Sequence, residues 1–146
     1  MGLIRLIDSI FKPRRVYAHC DVPCGIYDPK TLQIAAKTVK VMVTKLNDLA
    51  LPTSLDKDDL LTYINSSARM IATKEEHAQK CKEELLILWT DYFKEEHLRA
   101  FPKLHETFWK AAKLCSYNKQ NIDTTAAEKL VKAVDEIAEI FAKASK

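Results

Sequence analysis

The stretch HCDVPCGIYDP, residues 19–29, holds two of the chain's four cysteines, one of its four histidines and one of its two glycines. Thiolates and imidazoles are transition-metal donors, and thiolates favour the softer metals. A cut between Ala18 and His19 would free the His19 amine. That amine and the backbone nitrogen of Cys20 are joined through two carbons, so together they grip one metal in a small ring. The Cys20 sulfur closes a second ring from the same residue, and Cys24 can turn back with a second thiolate. Two nitrogens and two sulfurs then lie in a plane, with the His19 imidazole placed to approach from one side. Zinc prefers a tetrahedron, usually drawn from two separate ligand pairs. A planar, nitrogen-rich set suits Ni(II) or Cu(II), and the deprotonated backbone amide favours nickel. The same donors stabilise a higher oxidation state, so the site reads as a one-electron redox centre. Pro23 lacks an N–H and fixes its own φ, and the Val22–Pro23 bond is a candidate for the cis form. Gly25 can take a positive φ, and Tyr27 follows closely enough to fold its phenol over the open axial face.

The segment before the hook, MGLIRLIDSIFKPRRVYA, is a short amphipathic pattern broken by Arg5 and Asp8. Its basic residues follow its apolar ones, the reverse of a secretory signal. Arg5, Lys12, Arg14 and Arg15 against Asp8 account for the whole net charge of +3, so residues 19–146 are balanced. Residues 1–18 are expected to be a propeptide. While Ala18 is attached, the His19 nitrogen is an amide and the two-ring grip cannot form. The balanced body carries no basic excess of the kind nucleic-acid binding calls for. No apolar run approaches the roughly 20 residues needed to span a bilayer, so stable membrane insertion is not expected. Four cysteines in 146 residues are too few for a disulfide scaffold, and Cys81 and Cys115 sit within apolar helical patterns as buried thiols. A reducing, cytoplasmic setting follows.

The elements that position the hook should all be helices. No glycine follows Gly25, and neither hairpin turns nor strand alternation is evident. Asp28-Pro29 reads as a helix start. Leu32, Ala35, Ala36, Val39, Met42, Val43 and Leu46 mark a first inward stripe. A long second pattern begins near Asp56 and runs through Leu60, Ile64, Ala68, Ile71, Ala78, Leu85 and Trp89. DYFKEEHLRAFP is an aromatic connection. A third helix carries Leu104, Phe108, Ala111, Ala112 and Cys115, and a fourth carries Ala127, Leu130, Val131, Val134, Ile137, Ala138 and Phe141. The expectation is an all-α, antiparallel four-helix bundle over residues 28–146, with the hook (19–27) at its N-terminus. The bundle lacks the inward Glu-x-x-His pairs of di-iron proteins. Its two KEEH runs, containing His77 and His97, read as solvated faces, and His105 as a packed, hydrogen-bonded histidine.

The hook resembles that of the nickel superoxide dismutases. Their motif, His-Cys-x-x-Pro-Cys-Gly-x-Tyr, is met by His19, Cys20, Pro23, Cys24, Gly25 and Tyr27, and LWTDYFK (88–94) and FPKLH (101–105) are also similar. The resemblance implies a precursor cut by a maturation protease, and one nickel ion per subunit. The ligands would be the His19 amine and imidazole, the Cys20 amide and thiolate, and the Cys24 thiolate. It implies conversion of two superoxide anions to oxygen and hydrogen peroxide by Ni(II)/Ni(III) cycling. It further implies Tyr27 lining the substrate pocket, Asp21 beside the site, Tyr92 supporting the hook, and assembly as a homohexamer. One departure stands out. Many members orient the axial imidazole with a glutamate on the first helix braced by an arginine on the second, and Ala35 and His77 fall at those places here. Other readings of the hook are a non-catalytic nickel or copper carrier, a thiol redox module, and a helical interaction bundle with an incidental hook.

Overall fold

The computed structural model describes residues 25–145. Residues 1–18, expected to be a propeptide, lie outside the described residues together with His19, Cys20, Asp21, Pro23, Cys24 and the Val22–Pro23 bond.

Among the described residues, five α-helices and one π-helical turn follow in order: α1 (Lys30–Asn47), α2 (Lys57–Ile87), the π turn (Leu88–Tyr92), α3 (Glu95–Ala100), α4 (Leu104–Gln120) and α5 (Thr124–Ala144). The four long helices form the expected bundle. α1 and α4 each pack on both α2 and α5. Gln33 donates to Asp135 at 2.7 Å, Lys40 pairs with Glu128 at 3.2 Å, and Asn47 donates to Thr124 at 3.0 Å. Those pairings descend α1 while climbing α5, so the two run antiparallel.

The starts of α1, α2 and α5 are each set by an aspartate accepting backbone N–H groups that the helix leaves unpaired, whereas Lys103 before α4 makes no side-chain cap. Asp28 accepts from Lys30 at 2.8 Å, Asp56 from Asp58 and Asp59 at 3.0 Å each, and Asp123 from Ala126 at 3.0 Å. The Asp59 N–H, then the Ser54 hydroxyl, hold the Asp56 carboxyl below its ordinary range. The core is a continuous cluster that includes Leu32, Val39, Ala78, Leu85, Phe108, Cys115, Leu130 and Ile137.

Three sequence expectations change. Ile64 is 55% exposed and Ala68 is also exposed, and no residue from 57 to 73 is buried. α4 ends at Gln120, where its carbonyls meet Lys74, so the earlier turns of α2 have no α4 to pack against. The second change is Lys74 itself, in the first KEEH run, which is only 2% exposed. Its Nζ donates to the Asn118 and Lys119 carbonyl oxygens at 2.5 and 2.8 Å. The ammonium thus closes the C-terminal end of α4, where positive charge is favoured, while burial pushes its pKa down. Third, the aromatic connection after α2 contains a short helix, α3.

Candidate metal centre

The described part of the hook leads from Gly25 into α1. Gly25 has φ +70°, as the hook required, and no peptide bond among the described residues is cis. Tyr27 is half-buried, and its ring meets that of Tyr92 edge-on with centroids 5.4 Å apart. Tyr92 stands at the end of the π turn, whose wide hydrogen bond runs from the Phe93 N–H to the Leu88 carbonyl at 3.2 Å. Such turns are rare and recur at functional sites. Tyr92 also packs on Phe141 of α5 at 4.5 Å and lies parallel to His97 at 5.7 Å. Phe93, buried, ties the turn to Phe108 of α4 at 5.4 Å. The far side of the turn is fixed by Trp89, which stacks on Phe108 and donates from Nε1 to His105 Nδ1 at 2.8 Å. His105 is hydrogen-bonded as expected, but exposed rather than packed.

A cavity of about 350 Å3 opens at this corner, lined by Gly25, Tyr27, Asp91, Tyr92, Lys94, Glu96 and His97. It lies directly against the residue where the described chain begins, one position after Cys24. The chain therefore brings Tyr27 and Tyr92 together, as expected. It adds Asp91, Glu96 and His97, which the sequence reading left as connection or solvated face. The signal for His97 was present in KEEH, but a lysine at the capping position masks the usual capping pattern.

The remaining candidates are elsewhere. Ala35 is buried in the core and brings no polar atom; His77 is half-buried, and its Nδ1 is engaged with the Thr73 carbonyl at 2.9 Å. Cys81 and Cys115 are buried free thiols; their mutual hydrogen bond, then burial, pushes the Cys81 thiol far up, away from the thiolate. Among the described residues no three His, Cys, Asp or Glu side chains gather as a metal cluster, and no helix is long and apolar enough to cross a membrane.

Comparison with known proteins decides the family. Residues 14–145 match the model of the family described as nickel-containing superoxide dismutase. The chain belongs to the nickel-containing superoxide dismutases. It is 34% identical to the nickel superoxide dismutase of Streptomyces seoulensis over 137 residues, 93% of this chain and 95% of that protein. It is 32% identical to that of Streptomyces coelicolor over the same length and shares. A solved native nickel superoxide dismutase superposes with TM-score 0.72 at 30% identity, covering 88% of this chain and all of the other. One in its oxidised nickel-ligation state gives 0.73 at 32%, covering 87% and 98%. The chain is accordingly an oxidoreductase that dismutes superoxide, and its cofactor is nickel.

Proposed function

We propose that the nickel of this dismutase is held, one ion per subunit, by His19, Cys20 and Cys24 after residues 1–18 are removed. The observation that carries the reading is the corner described above, where the hook's exit at Gly25 and Tyr27 rests on Tyr92 beside an open cavity. The donor chemistry fits. An amine, a backbone amide nitrogen and two thiolates would make an electron-rich donor set of the kind nickel takes. The left-handed Gly25 lets the chain turn out of such a hook into α1. When bound, nickel supplies one-electron exchange with superoxide at a potential lowered by its thiolates.

The chain's own residues do the rest. Tyr27 is held by Tyr92 at the mouth of the cavity and lines the path of a small anion. Asp21 stands within the hook beside the ligands. Lys94, exposed at the rim, draws superoxide electrostatically, an effect that salt weakens. The propeptide keeps the His19 nitrogen an amide, so cleavage by a maturation protease switches the site on. The protein works in the cytoplasm as a homohexamer, which would also cover apolar side chains such as Leu61 and Ile64 that one chain leaves exposed.

The test is a native mass spectrum of protein matured in nickel-supplied cells. The reading expects chains that start at His19, one nickel each, six to an assembly. Uncut chains with full nickel occupancy would overturn the amine-ligand argument.

A further inference from the structure

His97 occupies the third position of α3, where a capping box usually places Glu or Gln. Its Nδ1 accepts from the Lys94 backbone N–H at 2.9 Å, and the His97 backbone N–H donates to the Lys94 carbonyl at 3.0 Å. Its ring lies parallel to Tyr92, with an interplanar angle of 16°, and edge-on to Phe93 at 5.6 Å. Tyr92 carries Tyr27 on another side. One imidazole thus ties the Lys94 backbone to the aromatic wall of the cavity. A carboxylate or amide oxygen at this place would accept throughout the neutral range. An imidazole nitrogen accepts only while it is unprotonated.

We propose that His97 is a positioning residue of the dismutase site: its neutral ring holds Lys94 and Tyr92 in place at the cavity, and protonation releases that corner. A proton on Nδ1 would face the Lys94 N–H, setting donor against donor with no acceptor between them. The bond breaks, the exposed Lys94 N–H turns to water, and the ring loses what fixes its stack on Tyr92. The groups around it are Tyr27 from the N-terminal segment, Asp91 and Tyr92 from the π turn, and Lys94 and Glu96 from its own segment. α5 contributes the apolar Phe141. Histidine is the side chain whose charge ordinarily changes near neutrality, and a ring charged at Nδ1 can no longer accept the Lys94 N–H.

The proposal rests on the reading that this cavity serves the nickel hook, but its central bond can be tested independently. The full chain, labelled with 15N and 13C, is titrated between about pH 5 and 8 while the Lys94 amide and the His97 ring are followed by NMR. The expected result is a Lys94 amide that moves with the midpoint of the ring. In His97→Gln, whose amide oxygen can accept from the same N–H without titrating, the Lys94 signal should stay constant. A Lys94 amide indifferent to the ring, or one that keeps its midpoint in His97→Gln, overturns the proposal. In nickel-loaded enzyme near neutral pH, His97→Ala should lower kcat/KM about fivefold at equal nickel content, with Gln restoring it to within about twofold. A Gln variant as slow as the Ala variant overturns the positioning role. If the Ala variant fails to fold, Gln against the unaltered chain still decides. A positive amide result in a protein that lacks nickel at the hook would retire the placement of the metal site and leave the His97 bond standing.

Discussion

Replacing Gly25 with alanine isolates the backbone's contribution to the hook. Gly25 has φ +70°, and an added Cβ would meet no atom of the described residues beyond its chain neighbours within 4 Å. Against the described residues steric contact adds nothing, and the effect worked here is the backbone's own. A left-handed conformation costs an L-residue about 1–2 kcal/mol. Alanine also narrows the freedom of the relaxed chain, which offsets about 0.4–1 kcal/mol. The net is about 1 kcal/mol, roughly fivefold in an equilibrium constant. Gly25 is exposed and precedes α1, outside the buried core. The cost should fall on closing the hook rather than on melting the bundle. Matured Gly25→Ala protein should bind nickel about fivefold more weakly in competition with a chelator, while its Tm shifts by less than about 3 °C. Gly25→Asn, which tolerates the left-handed region, should lie between the two. Unchanged affinity in the alanine variant, or a loss that appears in Tm and not in affinity, would refute the reasoning.

Other perturbations reach different parts of the molecule. Lys74→Met removes two bonds, one to the buried Asn118 carbonyl and one to the half-buried Lys119 carbonyl at the end of α4; about 2–4 kcal/mol of stability should be lost, read as a lower urea midpoint at unchanged slope. Lys74 has a folded pKa below its unfolded one, so the unfolded chain binds more protons just below the ordinary lysine range, and this group's contribution to stability should rise with pH there. A Lys74→Met background in which that alkaline rise persists would assign it elsewhere. Asp56, whose pKa is lowered by the Asp59 N–H and then by Ser54, contributes stability above its unfolded value that is lost as pH falls through the lowered one. Asp56→Ala should therefore speed hydrogen exchange at Asp58 and Asp59 near neutral pH, and the difference should vanish in strong acid. The Cys81 and Cys115 thiols should resist alkylation in the folded protein and react only on unfolding, as peptide mapping would report; modification of either in the native state would contradict their burial.

The helices were legible because their caps and stripes are local. Asp28 and Asp56 announce their starts, and Leu32, Val39, Leu130 and Ile137 repeat at the spacing of one buried face. What periodicity lacks is the length of the neighbour. Ile64 and Ala68 lie on the same stripe as Ala78, yet α4 stops before reaching them. Lys74 was hidden for a related reason, since its partners are carbonyls 44 and 45 positions away that become available only when the helices meet. The ligands proposed for the hook rest on residue types and order alone, because chelation by His19 and Cys20 would be a matter of adjacent covalent bonds. The cavity was not. Tyr27, Tyr92 and His97 converge through a π turn, and no residue type marks where a helix widens.

A π turn holds one residue more than the α turn it replaces. In Leu88–Tyr92 the chain thus carries the equivalent of a one-residue insertion in an otherwise regular helix, and each residue of an α-helix advances the side-chain direction by about 100°. Drop any one residue of Leu88–Asp91, and α2 can run on unbroken while Tyr92 swings by that angle away from Tyr27. A replacement in this segment alters one contact; a deletion readdresses every side chain that follows. The corner where the hook meets the bundle is therefore written in spacing as well as in residue identity, and homologous sequences should keep its length.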